Sequence, residues 1–232
     1  MQFSGTIRTI WLVLVGAAIW SLWLARNEKA FKEKDTNPID LLFYKKLRTL
    51  FWFKATKEDF LPSIDEWWEN PGCILDSHAN NKVVDFCWSP PRTGFIKFNV
   101  DGAVKNEAAG CGGVLRTHEG VMRAVFAGPV DCCGVDYAEL STIKIGLQVF
   151  TEMEWSGSES LIVESDSKIV LNWINDVSQR PWRWWSVLLE IDSLVREIGV
   201  VIFTHVGRQS NTMADALAKD GIRRLQLFKA WW

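Results

Sequence analysis

Residues 95–101 read Phe95-Ile96-Lys97-Phe98-Asn99-Val100-Asp101, directly after the turn-forming run Ser89-Pro90-Pro91-Arg92-Thr93-Gly94. Ile96, Phe98 and Val100 alternate with Lys97, Asn99 and Asp101, the period of two expected of a strand with one apolar face and one polar face. The polar face ends on a carboxylate. Downstream, residues 110–116 and 121–126 predict two more strands, joined by Thr117-His118-Glu119-Gly120 into a meander. Residues 137–155 predict a helix that buries Leu140, Ile143, Leu147 and Phe150. A short apolar strand over 160–164, helices over 167–175 and 184–198, a strand over 200–204 and a last helix over 211–227 complete the pattern. The result is an α/β class fold, a five-stranded mixed sheet flanked by helices.

Upstream of the strands the period is helical. Residues 10–25 carry no charge, with Arg8 before them and Arg26, Lys29 and Lys32 after. The run is shorter than the roughly 20 residues of a spanning helix and leads into polar helix, with no small-residue cleavage site. A buried or partner-facing helix is therefore preferred to a membrane span or a signal peptide. Asp35-Thr36-Asn37-Pro38 opens a second helix over 39–55, whose apolar stripe alternates with Lys45, Lys46 and Arg48. The expected organisation is an N-terminal helical extension over 1–69, a linker over 70–94 rich in Asn, Pro, Gly and Ser, and an α/β domain over 95–232.

Charge does not announce a partner: 26 basic residues stand against 28 acidic ones among 232. Split after Arg92, the chain has 12 basic and 11 acidic residues before the break and 14 and 17 after it, so the α/β half is the more acidic. Five cysteines without a CxxC pair or a histidine at zinc spacing suit a reduced, intracellular setting, in nucleus or cytoplasm. Vicinal Cys132-Cys133 reads as a loop beside Gly134.

Four acids fall where an α/β sheet gathers a site. Asp101 ends the first strand, Asp166 follows the fourth, and Glu139 and Asp215 lie in the first turns of two helices. Converging there, they would repel one another unless cations neutralised them. Carboxylates without a Cys or His cluster suit hard ions such as Mg²⁺. Each acid also has a plain reading: Asp166 between two serines as a helix cap, Asp101 before Gly102 as a strand end, Glu139 and Asp215 as acids favoured by the helix dipole. Only the set of four outweighs these.

Phe98-Asn99-Val100-Asp101-Gly102-Ala103, Ala138-Glu139-Leu140, Glu164-Ser165-Asp166-Ser167 and Asn211-Thr212-Met213-Ala214-Asp215-Ala216-Leu217-Ala218-Lys219 resemble, in order, the four motifs of type 1 ribonuclease H. With the linker His205-Val206-Gly207-Arg208-Gln209-Ser210-Asn211, they are most similar to the plant ribonuclease H-like domain of non-LTR (LINE-type) retrotransposon reverse transcriptases and of free-standing host proteins. Trp20-Ser21-Leu22-Trp23-Leu24-Ala25-Arg26-Asn27 resembles the segment joining polymerase to that domain. The resemblance implies a ribonuclease H-like fold cutting the RNA strand of an RNA/DNA hybrid endonucleolytically with two Mg²⁺ or Mn²⁺ ions about 4 Å apart; the sequence leaves the oligomeric state open, with a monomer favoured. It implies that Asp101 bridges both ions, that Glu139 and Asp166 complete one site and Asp215 the other, and that His205 assists proton transfer or product release. Gly102, Asn106 and Asn211 would meet the substrate, and Lys144 and Lys168 its phosphates.

Two features point the other way. The sequence lacks a basic insertion after the short helix, and Val135-Asp136 replaces asparagines before the glutamate. They keep open a decayed or host-retained domain that binds nucleic acid or protein without catalysis. A membrane-anchored protein rests on residues 10–25 alone. Trp182, Trp184 and Trp185 with Arg180 and Arg183 suggest base stacking, but packing of the following helix is preferred.

Overall fold

The computed structural model describes residues 5–33, 35–56, 88–153 and 159–231. The chain divides into two units, Met1–Val83 and Val84–Trp232. Most of the expected linker, residues 70–87, lies outside the described residues.

In the first unit, α1 (Gly5–Lys32) and α2 (Pro38–Thr56) form a helical hairpin. Asn37 caps α2, its Oδ1 accepting from the Ile39 N–H at 3.0 Å, and proline takes the first helical position, where no N–H is needed. Gly16 faces Trp52, and the Arg48 guanidinium donates to Ser21 Oγ at 2.8 Å, so the helices run antiparallel with one polar bond inside their contact. Among the described residues no helix is long and apolar enough to cross a membrane.

In the second unit, β1 (Phe95–Lys105), β2 (Ala108–Arg116) and β3 (Met122–Val130) form the antiparallel meander. The helix α3 (Val135–Glu152) crosses to β4 (Ser160–Ser165), which pairs parallel with β1. Then come α4 (Lys168–Asn175), two short 3₁₀ turns, α5 (Trp185–Ile198), β5 (Val201–His205) parallel to β4, and α6 (Thr212–Gly221). This is a mixed sheet flanked by helices with the expected element order, plus one more strand: β6 (Phe228–Trp231) pairs antiparallel with β3. The full order is β5-β4-β1-β2-β3-β6. The last helix is correspondingly shorter than the 211–227 read from the sequence. At Gly221 a side chain would meet the carbonyl oxygens of Cys111 and Gly128 at 2.6 Å, so the helix end is clamped onto the sheet and the chain leaves to pair as a strand.

Ile96, Phe98 and Val100 are fully buried, as are Leu140, Ile143 and Leu147 of α3. Phe98 and Phe126 meet edge to face at 5.6 Å, tying β1 to β3 across β2. Burying a large apolar side chain contributes about 1.5–3 kcal/mol, so this cluster dominates the stabilisation of the sheet.

Close backbone approach sets the helices that carry acids. A Cβ on Gly102 would lie 2.5 Å from the Glu139 nitrogen, and one on Gly112 would lie 2.2 Å from the Ala218 nitrogen. Only glycine lets α3 and α6 sit this near the strands. The β1–β2 hairpin turns through Asn106 and Glu107 with φ of 49° and 62°, the left-handed pair of a type I′ turn.

Candidate metal centre

Lys97, Asn99 and Asp101 line up on the polar face of β1, and their surroundings differ. Lys97 Nζ pairs with Glu164 Oε1 of β4 at 2.7 Å, with both side chains buried, and also donates to the Ser89 carbonyl at 2.8 Å. Asn99 Nδ2 donates to Glu164 Oε2 at 2.9 Å and to Asn211 Oδ1 at 3.3 Å. Asn211 in turn donates to the Val100 carbonyl at 2.9 Å. This network fastens β4 and the start of α6 to β1.

Two residues beyond Asn99 the compensation stops. One carboxylate oxygen from each of Asp101, Glu139 and Asp166 lies within 4.8 Å of the others. Asp101 is not at a strand end, as the sequence suggested: β1 continues to Lys105, and it is the parallel pairing with β4 that ends at Asn99–Glu164. Beyond that point β1 is free on the β4 side, which opens the space the acids share. Glu139 belongs to the second turn of α3, not the first, and its Oε2 accepts the Gly102 N–H at 3.3 Å. Asp166 follows β4, where Ser167 caps α4 by accepting from the Val170 N–H.

The electrostatics follow from this crowding. Burial, then the charges of Glu139, Asp166 and Asp215, push the Asp101 carboxyl up to about 9. Burial and then Asp166 push Glu139 up to about 8, against the lowering pull of the Gly102 N–H and of Arg208. Without a cation the cluster holds protons that ordinary carboxyls would have lost. The donor set is all carboxylate oxygen, and Asp101 and Glu139 are held protonated by burial and then by the neighbouring carboxylates. Both properties fit a hard divalent cation, which would relieve the repulsion.

The fourth expected ligand stands apart. Asp215, in the first turn of α6, is close enough to act on Asp101 but is not among the three mutually adjacent acids. Its carboxylate pairs with Lys219 one turn along the same helix.

The remaining expected site residues are distributed unevenly. His205 ends β5 in register with Ser165, is exposed, and lines an open recess of about 460 Å³ together with Asp166, Lys168 and Arg208. Asn106 is exposed at the hairpin tip. Gly102 is buried against α3, and Asn211, expected at the substrate, is buried with its amide committed to Asn99 and Val100. Their places are inside the fold, holding the acids in position. Lys144 pairs with Glu190 at 3.2 Å.

Trp184 packs on Tyr137 at 4.5 Å, but Trp182 is 89% exposed and Trp185 43% exposed, so helix packing accounts for only one of the three tryptophans. Arg180, by contrast, is a structural anchor, bidentate to Asp192 at 2.6 and 2.8 Å. The sequence reading missed Arg208, whose Nε lies 3.2 Å from Asp166 Oδ2. Nothing in the local pattern marks it, because the pair spans 42 residues.

A family model described as reverse transcriptase-like matches residues 99–221. A comparison with curated proteins finds no match. Among solved structures, the chain is similar to LC11-RNase H1 isolated from compost by a metagenomic approach, at 19% identity and TM-score 0.52 over 56% of this chain and 97% of that one. LC11-RNase H1 in complex with an RNA/DNA hybrid matches at 19% identity and TM-score 0.51, covering 55% and 96%. The N-terminal RNase H domain of a Mycobacterium tuberculosis protein, solved as a fusion with maltose-binding protein, matches at 20% identity and TM-score 0.50, covering 56% and 95%. These likenesses establish an α/β RNase H-like fold.

Proposed function

The chain belongs to the reverse transcriptase-like family, and from that premise we propose that its second unit is a metal-dependent endoribonuclease that hydrolyses the RNA strand of an RNA/DNA hybrid. The observation that carries this reading is the convergence of Asp101, Glu139 and Asp166 within 4.8 Å on an RNase H-like sheet. A similarly folded protein is known in complex with such a hybrid. The family match supports a retroelement derivation, and the finer assignment to a plant LINE-type element is supported by the ordered motifs and the 205–211 linker alone.

Asp101, Glu139 and Asp166 would together hold the metal, with Asp215 near Asp101 from α6. Bound divalent ions supply an activated water and stabilise the leaving 3′ oxygen. Gly102 orients Glu139 through its N–H, and Asn211 holds the start of α6 against β1. His205, exposed and lining the recess beside Asp166, would carry a proton to or from the departing group in this reading. Asn106 and Lys168 face solvent where a nucleic-acid backbone could reach them.

A labelled hybrid incubated with the full chain and Mg²⁺ or Mn²⁺ tests the reading. Cleavage of the RNA strand that disappears with EDTA is expected. An intact hybrid, under conditions where a control enzyme cuts it, rejects catalysis and favours the second reading, a domain that binds nucleic acid without cleaving. The pairing of Asp215 with Lys219 favours that alternative.

A further inference from the structure

The acid cluster and the recess beside it carry opposite charge and share one residue. Asp166 belongs to the three-carboxylate group and also lines the recess with Lys168, His205 and Arg208. Around that recess are two cationic side chains and an imidazole against a single carboxylate, and the first turn of α4 opens onto it at Ser167 and Lys168. Such a surface attracts an anion with several oxygens. Arg208 sits on the boundary: its Nε holds Asp166 at 3.2 Å, while the side chain is 93% exposed against 14% for Asp166. A guanidinium that exposed, bonded to one oxygen, is held weakly.

Resting on the metal-site reading above, we propose that Arg208 is a displaceable counter-ion of the acid cluster, which releases Asp166 when a divalent cation binds and turns into the recess to hold a backbone phosphate of the substrate. A dication and the Arg208 guanidinium compete for the one Asp166 carboxylate, and two cations held there repel, so the weakly held, exposed arginine yields. Released, it retains its five donors, and the recess beside it already presents Lys168 and His205. A substrate phosphate there would lie next to the acids, so Arg208 would couple metal loading to substrate capture. By linkage, each of the two binding events then favours the other. Arg208 is a positioning residue in this scheme and takes no proton.

Two affinities measured on the full chain test it. Mn²⁺ binding is read by calorimetry at fixed pH, and binding of a labelled hybrid by fluorescence anisotropy in Ca²⁺ and in EDTA. For Arg208→Ala, Mn²⁺ binding is expected to tighten by about 3–10-fold because its competitor is gone, a coupling of the usual allosteric size. Hybrid binding in Ca²⁺ is expected to weaken about tenfold and its salt dependence to fall by about one ion. Arg208→Lys should retain part of both effects, since it keeps charge but not the fork. Unchanged or weaker Mn²⁺ binding by Arg208→Ala overturns the counter-ion role, and unchanged hybrid affinity in Ca²⁺ overturns the phosphate role. Wild-type protein that binds no Mn²⁺ or no hybrid overturns both. If the wild type binds both but never cleaves, the catalytic reading fails while these two affinities still decide the role of Arg208.

Discussion

Glu164 and Asp166 are two residues apart at one end of β4, yet they occupy opposite kinds of environment. Glu164 is buried and answered by Lys97 and Asn99, each polar partner having its own further bond. Asp166 faces Asp101 and Glu139, two carboxyls pushed well above the usual range by burial and neighbouring carboxylates, and its partner Arg208 is solvent-exposed. The difference separates structural polarity from functional polarity. Where charge serves the fold, the chain supplies both members of the pair. Where it serves chemistry, the chain supplies one sign and leaves the other to a ligand.

The largest expected effect strikes the uncompensated end. Asp101→Asn should reduce hybrid cleavage by on the order of a thousandfold, the scale of losing one strong electrostatic contact to a reacting group, while circular dichroism stays native. Residual cleavage near the wild-type rate would show that the cluster is not the active centre. At the compensated end the effect is on stability: Lys97→Met, which leaves Glu164 buried and unpaired, should lower the unfolding free energy by about 3–5 kcal/mol in urea titration. The double variant Lys97→Met/Glu164→Leu should regain most of that loss. If the single variant is neutral, the two ends are not as different as their geometry indicates.

The two ends also predict a pH dependence of definite sign. Asp101 and Glu139 ionise at about 9 and about 8 in the folded chain, against roughly 4 when unfolded. The folded state thus keeps protons that the unfolded state has released. Their contribution to stability without metal is fully present below about pH 4 and is lost progressively as pH rises towards 8–9. Melting temperature in EDTA should fall across that window, and saturating Mn²⁺ should flatten or reverse the slope. Asp101→Asn should remove much of it, whereas a slope unchanged in that variant would place the titrating group elsewhere.

Smaller effects mark the border between the ends. Asn211→Ala removes the bonds to Val100 and Asn99 and should cost about 1–3 kcal/mol by denaturant titration. Trp182→Ala, at an 89% exposed position, should stay within about 0.5 kcal/mol. A larger loss at Trp182 would mean it packs against something in solution.

Much of this architecture was legible in local patterns because they repeat at short range. The alternation in residues 95–101 marks β1, and the spacing of Leu140, Ile143 and Leu147 marks the buried face of α3. β6 was hidden because four residues are too few to establish a period against a preceding helical pattern. Asp101, Glu139 and Asp166 could be singled out as candidates, but Asp215 looked equivalent to them, because its pairing with Lys219 and its separation from the other three depend on how α6 sits on the sheet. Asn211 looked like a substrate contact for the same reason: burial is not visible in an amide side chain's identity.

By itself the amino-acid sequence determined the order of the elements up to the last helix, their apolar faces and which acids were candidates, because these depend on residues a few positions apart. Tertiary structure alone decided which acids meet, that Lys97 neutralises Glu164 while Asp166 is left to Arg208, and that α3 lies close enough to β1 for the Gly102 N–H to hold Glu139. Those outcomes depend on through-space distances of a few ångströms between segments as far apart along the chain as those of Lys97 and Glu164, and charge interactions fall off with distance in space, not along the sequence.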